Sequence, residues 1–467
     1  MTLLVQSAPL LLLLGLLVSG RAGPLVAVLV ALAATLPAAF VSLPGDAGLL
    51  PFLVDEALRG TFLAVQPIGV VVGGLLFHAA VEGRDGAATP ATATPRAIFT
   101  ATLLMGVFME SVTGFAVGAV FALAALRGMG LRGPPAVALA LLALCMIPWG
   151  GLGPGTALGA VLVGVPAQQI AALTALPNAA WLLALGPVCW RLCAAAGVPV
   201  PGPERRAQMA MLGVMAALLV AGHWVLPFEV LGILASGAPL LFALWCADPP
   251  RDAADWARAG RALAPYALLT VALLGARAVP EPPAWQPYGA LPAFPVTHVA
   301  IVLLVVSASM LALSDAPRRR ATGALRRAAR PALVLLLYVL LARWMAGSGA
   351  TGALAQAAAE ALGQAAPYAV PPLGLLGGLV TGSNVGSNAA LMPVQKALGL
   401  AAGLPPLLAP AVHNFAGAAG AGMSVGVTAL VCGLLGDGTR PAQVWRLLLP
   451  SMAAVLVIGW AAMALLR

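Results

Sequence analysis

The chain has 467 residues, 61% hydrophobic and 8% charged, with mean hydropathy +1.00 and a formal net charge of +9. Soluble domains carry about 25% charged residues; the composition therefore excludes a soluble enzyme and a nucleic-acid-binding domain. An all-α polytopic membrane protein is expected, with the lipid bilayer as its main partner. The basic residues are arginines in short loops between apolar runs, apart from the single Lys396, and such loops set topology.

A membrane-crossing helix needs about 20 apolar residues. In chain order this predicts spans at 3–20, 23–41, 61–80, 134–166, 174–193, 208–226, 228–246, 262–279, 295–313, 331–347, 405–434 and 447–466, twelve in all. The first run lacks a basic leader and is expected to stay as a helix. Two apolar segments remain, 97–126 and 368–398, each with a polar motif near its middle. These motifs are Glu110-Ser-Val-Thr-Gly-Phe-Ala-Val-Gly118 and Thr381-Gly-Ser-Asn-Val-Gly-Ser-Asn388. The cysteines (Cys145, Cys189, Cys193, Cys246 and Cys432) fall in or near apolar runs and read as packing residues rather than disulfides or metal ligands. His78, His223 and His298 have no metal-like spacing, and neither metal nor cofactor is expected.

The strongest basic cluster, Arg318, Arg319, Arg320, Arg326, Arg327 and Arg330, belongs in the cytoplasm by the positive-inside rule. Counting outward places Arg21, Arg84, Arg96, Arg127, Arg132, Arg205, Arg206, Arg251, Arg258 and Arg261 on the same side. The Pro-rich loop 280–294, which has no basic residue, falls on the other. This holds only if 97–126 and 368–398 each enter and leave on one side, as re-entrant hairpins with the polar motif at the tip.

Gly114 lies 268 residues before Gly382, and the same offset brings most first-half spans onto second-half spans. Each hairpin is followed by a Gly-Leu pair and a Pro-Pro pair: Gly130-Leu131 with Pro134-Pro135, and Gly399-Leu400 with Pro405-Pro406. A glycine-broken span follows in each half, at 147–156 and 413–424. The expected organisation is two inverted repeats, 1–195 with hairpin 97–126 and 262–467 with hairpin 368–398, joined by connecting helices in 196–261. Inverted repeats with discontinuous helices suit a transporter whose site lies near the bilayer midplane.

Polar side chains and loosened backbone persist at membrane depth only where protein or a wet cavity satisfies them. Half-helix N-termini attract anions, Ser, Thr and Asn add hydrogen-bonding groups, and Gly allows close approach. On these grounds Ser111, Thr113, Gly114, Thr381, Gly382, Ser383, Asn384, Ser387, Asn388 and Asn414 are candidate substrate-binding residues. Glu110 is the candidate proton carrier, because a dehydrated carboxyl has its charged form disfavoured. His413, opening the second broken span, is a second candidate for proton coupling. Lys396 and Arg343 read as snorkelling cations, Glu229 and Glu360 as interfacial, and Trp149, Trp224, Trp245 and Trp344 as members of an aromatic belt.

At these motifs the chain resembles the L-lactate permease family. Glu110 with Gly114-Phe115 stands where that family carries a Glu and a Gly-Phe-Gly motif. Met345-Ala-Gly-Ser-Gly349 partly matches its Met-Asn-x-Ser-Gly motif. Thr381–Asn388 matches its Thr-Gly-Ser-Asp-x-x-Ser-Asn motif at all but the acid, replaced here by Asn384. The resemblance implies a proton-coupled carrier of small 2-hydroxymonocarboxylates such as L-lactate or glycolate, multi-pass in a bacterial inner membrane. The departures fall at the expected site and leave substrate and coupling ion open. A sodium-coupled di- or tricarboxylate symporter, or another organic-anion symporter, is the alternative. An anion channel and a membrane-embedded enzyme are further readings; the loops offer only Asp252, Asp255 and Asp315 among arginines for an enzyme. The oligomeric state is open.

Overall fold

The computed structural model describes residues 2–19, 21–44, 48–81 and 92–467. It is almost wholly helical, and among the described residues nine helices are long and apolar enough to cross a membrane, beside several shorter apolar ones. Arg84, expected in a cytoplasmic loop, lies outside the described residues.

Helices α1 (Thr2–Val18) and α2 (Pro24–Ser42) pack on each other. Helix α3 (Leu49–Val81) begins well before the expected span. Its charged first turns stay helical because Asp55 pairs with Arg59 at 2.8 Å and Glu56 with Arg343 at 2.5 Å. Next, α4 (Pro95–Phe99), a π-helical stretch (Thr100–Gly106) and α5 (Val107–Thr113) run on as one helix, and α6 (Val117–Gly128) follows. The second broken element of this half is α7 (Gly133–Leu141), tight turns around Ile147–Leu152, and α8 (Pro154–Leu162). Long helices α9 (Ala167–Ala195), α10 (Gly202–Gly222), α11 (Phe228–Ala247) and α12 (Ala253–Arg277) come next.

The Pro-rich loop carries the one ladder described, β1 (Ala284–Trp285) antiparallel to β2 (Phe294–Pro295), with Trp285 opposite Phe294. Then follow α13 (Val299–Ala312), α14 (Pro317–Gly347), α15 (Ala350–Leu362), α16 (Val370–Thr381) and α17 (Asn384–Ala401). The chain finishes with α18 (Leu408–Gly422), α19 (Val425–Leu435) and α20 (Pro441–Leu465). The Ala-rich α15 was not among the expected elements; with Gln356 and Glu360 on its surface it is too short and too polar to read as a span.

Both polar segments fold as hairpins. The α5–α6 chain reverses over Gly114, Phe115 and Ala116, all with positive φ, and Gly118 then lies so close to the outgoing helix that a Cβ there would stand 2.2 Å from the Gly106 carbonyl. The α16–α17 chain reverses at Gly382 and Ser383, and Gln395 Nε2 near the far end donates to the Val370 carbonyl at 3.3 Å. Each tip rests on the break that follows it. A Cβ on Gly114 would be 3.1 Å from Gly151 Cα, and one on Gly382 would be 3.5 Å from Ser424 Oγ.

The hairpins and broken helices pack on one another, while α3, α13 and α14 form a second group with α1 and α2 beside it. Two cations tie hairpins to broken helices across the halves. Arg127, at the base of α6, donates to the Leu434 carbonyl at the end of α19 at 2.8 Å, and Lys396 on α17 donates to the Val163 carbonyl at the end of α8 at 2.5 Å. Helix C-termini present unpaired carbonyls that favour cations. Lys396 is therefore a helix-end partner, and Arg343 is bound to Glu56; neither simply snorkels. Glu229 is buried against Arg277, not interfacial. Trp149 is fully buried in the first break, whereas Trp224 and Trp245 are exposed as a belt requires. Cys246 is exposed rather than packed; the other cysteines are buried and free.

Helices α16 and α18 meet at backbone contact. A Cβ on Gly378 would sit 1.9 Å from the Gly417 carbonyl, whereas Gly433 has nothing within 4 Å. Gly378→Ala must push the two helix backbones apart and is expected to cost about 3 kcal/mol, and Gly433→Ala to leave the fold intact. Thermal melting of the purified proteins in detergent compares them.

Candidate functional site

The second tip is encoded locally. Thr381-Gly382 closes α16, with Gly382 in the left-handed region (φ 70°) as a helix stop. Ser383 then caps α17, its Oγ accepting from the Gly386 N–H at 3.4 Å. Thr381 Oγ1 donates to the Gly377 carbonyl at 2.7 Å, which turns the end of α16 in on itself. The first tip has no such cap, because Ala116 precedes α6 with no capping side chain. Glu110 supplies it from the opposite arm of the hairpin: Oε1 accepts from Ala116 N at 3.3 Å and Oε2 from Gly118 N at 3.1 Å.

The two tips and two breaks enclose a cavity of about 420 Å³. Glu110, Gly114, Thr381, Gly382, Ser383 and Asn384 line it, together with Phe115 and Gly155. On the opposite wall stand Val71 of α3 and Val334, Leu335 and Tyr338 of α14, with Pro24 and Pro331 at one end. Four helix N-termini reach it, those of α6 at Ala116, α8 at Pro154, α17 at Asn384 and α19 at Gly426. Among the described residues no Lys or Arg lines it, and Glu110 is the only carboxyl there. The dipoles of these four ends supply positive potential without a cation, although Glu110 and Ser383 already take several of their N–H groups.

The remaining candidates stand behind the wall. Ser111 and Thr113 hydroxyls donate back into their own helix, to Val107 at 2.8 Å and Met109 at 2.6 Å, and neither lines the cavity. Ser387 Oγ lies 3.3 Å from His413 Nε2, which is also 3.3 Å from the Ser387 carbonyl. A carbonyl only accepts, so Nε2 carries the hydrogen. His413 is thus held one layer away from the cavity.

Asn414 is the hub of a buried network. Its Oδ1 accepts from Asn384 Nδ2 at 3.0 Å and Asn388 Nδ2 at 2.8 Å, and its Nδ2 donates to Thr156 Oγ1 at 3.0 Å and Thr174 Oγ1 at 3.2 Å. Asn388 Nδ2 also reaches the Gly155 carbonyl at 2.9 Å. The network joins α8 and α9 to α17 and α18.

Thr156, Thr174 and Tyr338 are absent from the sequence-level set. Thr156 directly follows the Gly-rich break and Tyr338 is a lone polar tip in the aliphatic run 331–341, which are the signals that mark them; Thr174 has none. Among the described residues no cluster of three or more His, Cys, Asp or Glu could hold a metal ion.

Replacing Asn414 by Leu would strand buried amides on one side and threonine hydroxyls on the other. The expected loss is about 3 kcal/mol, against about 1 kcal/mol for Thr156→Val. Both are read as shifts in thermal melting.

Comparison with known proteins bears on what such a cavity serves. The L-lactate permease family model matches residues 289–466, which include the second hairpin and the second broken span. No curated protein matches the chain. Among solved structures, Neisseria gonorrhoeae MtrF, described within a class of antimetabolite efflux pumps, aligns over 95% of this chain and 94% of its own at 14% identity and a TM-score of 0.48. The Alcanivorax borkumensis YdaH transporter aligns over 90% of this chain and 89% of its own at 16% identity and a TM-score of 0.45. Over residues 289–466, then, the chain resembles the L-lactate permease family, and it is a multi-pass membrane transporter rather than an enzyme.

Proposed function

We propose that the chain is a secondary carrier of a bacterial inner membrane that moves a small 2-hydroxymonocarboxylate, such as L-lactate or glycolate, in symport with protons. The carrying observation is the cavity itself, where, among the described residues, four helix N-termini and no cationic side chain surround a single carboxyl. A small anion gains from the helix ends, and the lack of a fixed cation keeps the site from becoming too deep a trap to release it.

Glu110 supplies the coupling in this reading. Ionised, it caps α6 and places a negative charge on the cavity wall. A second negative charge in a poorly screened space is repelled. Proton and substrate anion therefore favour each other's binding, and that mutual preference is a coupling free energy. Protonation also weakens the cap on α6, which links loading to the shape of the first tip. His413 stands one layer back, so the reading assigns coupling to Glu110 alone.

The two halves, each with a hairpin and a broken span, serve as inverted repeats, with 196–261 as the connection. The hairpins and broken helices move as one body against α2, α3 and α14, and the Arg127 and Lys396 ties hold that body together. The cavity reaches Pro24 and Pro331, neighbours of Arg21 and Arg330 at the cytoplasmic level, which corresponds to an inward-facing state.

The test is uptake of labelled L-lactate into proteoliposomes. Symport of one anion with one proton moves no net charge, so accumulation should follow the pH gradient and ignore an imposed membrane potential. Uptake that tracks the potential marks a channel, and uptake that needs a sodium gradient marks the sodium-coupled organic-anion alternative. Glu110→Gln should abolish proton-driven accumulation while retaining exchange of internal for external substrate; gradient-driven accumulation by this variant at the wild-type rate removes Glu110 from the mechanism.

A further inference from the structure

The side chains that give the cavity its surface are apolar. Phe115 is 40% exposed and Leu430 49%, and Ile147, Val334 and Val427 are half-buried; all five line the cavity. The polar side chains on the wall are mostly covered. Glu110, Thr381, Asn384 and Tyr338 are each 6% exposed or less, and Ser383, the remaining polar side chain described there, is half-buried. Among the described residues no Lys or Arg lines the space. Whatever enters therefore meets helix ends and hydrocarbon, and few polar side chains.

Phe115 stands apart from the other four. It sits at the first tip with φ 58°, in the left-handed region that glycine adopts freely and residues with a Cβ adopt at a cost. Strain of this kind gathers at ligand sites. The tip holds the ring where solvent or a ligand reaches it, one residue before Ala116, whose N–H is bound by Glu110. An apolar ring left open beside the only carboxyl described on the wall gains from being covered, because removing apolar area from water is favourable. A small ion alone cannot cover it. A carboxylate that carries a hydrocarbon body can, and a cavity of about 420 Å³ has room for more than a methyl group.

We infer that the site favours monocarboxylates with an aliphatic body longer than that of lactate, and that Phe115 is the residue that reads the length of that body. The carboxylate takes the positive potential of the helix ends, and the hydrocarbon lies on Phe115 and the apolar side chains of α14 and α19 that line the cavity. This narrows the monocarboxylate reading above and rests on it. A second carboxylate on the same chain would be set against hydrocarbon with no cation to receive it, so a dicarboxylate of equal length is refused. Glycolate, which has no methyl group, falls at the bottom of the series.

The probes are glycolate, L-lactate, 2-hydroxybutyrate and 2-hydroxypentanoate, with L-malate as the four-carbon dicarboxylate matched to 2-hydroxybutyrate. Binding to the purified full chain is read as the ligand-induced rise in melting temperature, and recognition by the carrier as competition with labelled L-lactate in proteoliposomes. Wild-type affinity should rise roughly 3-fold per added methylene, and 2-hydroxybutyrate should bind roughly 10-fold more tightly than L-malate, or better. Phe115→Ala should cut the gain between L-lactate and 2-hydroxypentanoate from about 10-fold to about 3-fold and leave glycolate within about 2-fold of wild type. Val334→Thr keeps the shape of the wall and adds a hydroxyl; it should lower the same gain, and it keeps the test open if the Phe115 variant misfolds. A flat or falling series in wild type overturns the inference, as does the lack of both shift and competition for all five acids. A series that rises equally in wild type and both folded variants is partition into detergent and overturns it too. If the series rises as expected but no uptake follows a proton gradient, the symport reading fails and the inference stands; if L-lactate accumulates with protons and the series is flat, the reverse holds. L-malate bound as tightly as 2-hydroxybutyrate overturns both the inference and the monocarboxylate reading.

Discussion

The structure depends on one constraint, that a helix broken inside a bilayer exposes backbone groups which no water can satisfy. Here four breaks are brought together so that each helps satisfy another. The first tip lies on the Gly150–Gly153 break, the second on Ser424, and Glu110 and Ser383 each receive N–H groups of a returning helix. The N-terminal ends of four broken helices meet on one cavity.

Close packing lets this arrangement act as a unit. Glycines at Gly378 and Gly420 bring α16 and α18 to backbone contact, and the Asn414 network fastens these helices to α8 and α9. Arg127 and Lys396 close the far ends. A chain of hydroxyls and amides buried in a dry interior also carries direction, since each group that must donate decides what its neighbour can do. That direction runs from two backbone carbonyls through Thr156, Thr174 and Asn414 to the amide of Asn384.

Much of this was legible in the sequence, for definite reasons. Runs of about 20 apolar residues mark spans regardless of context, and polar motifs in mid-run marked both hairpins and, through Glu110, Thr381, Ser383 and Asn384, every polar side chain described on the cavity wall but Tyr338. Helix starts at Leu49, Ala253 and Pro317 were hidden because charges end an apolar window without ending a helix. Ser111 and Thr113 read as tip residues because only the backbone path shows their hydroxyls bonding back one turn. Lys396 read as an interface residue because its acceptor, Val163, lies 233 positions away. Thr174 comes from a helix with no motif, and its place in the network is a matter of tertiary contact alone.

The replacement of the family's Asp by Asn384 gains meaning in this setting. A carboxylate at that position has no hydrogen to give Asn414 Oδ1, which now accepts from two amides, so the polarity of the whole network would have to change. It would also set a second carboxyl on a wall where, among the described residues, Glu110 is the only one. With Asn, the second tip stays neutral and donates to Asn414 Oδ1. Glu110 on one hairpin and Asn384 on the other thus line the same space.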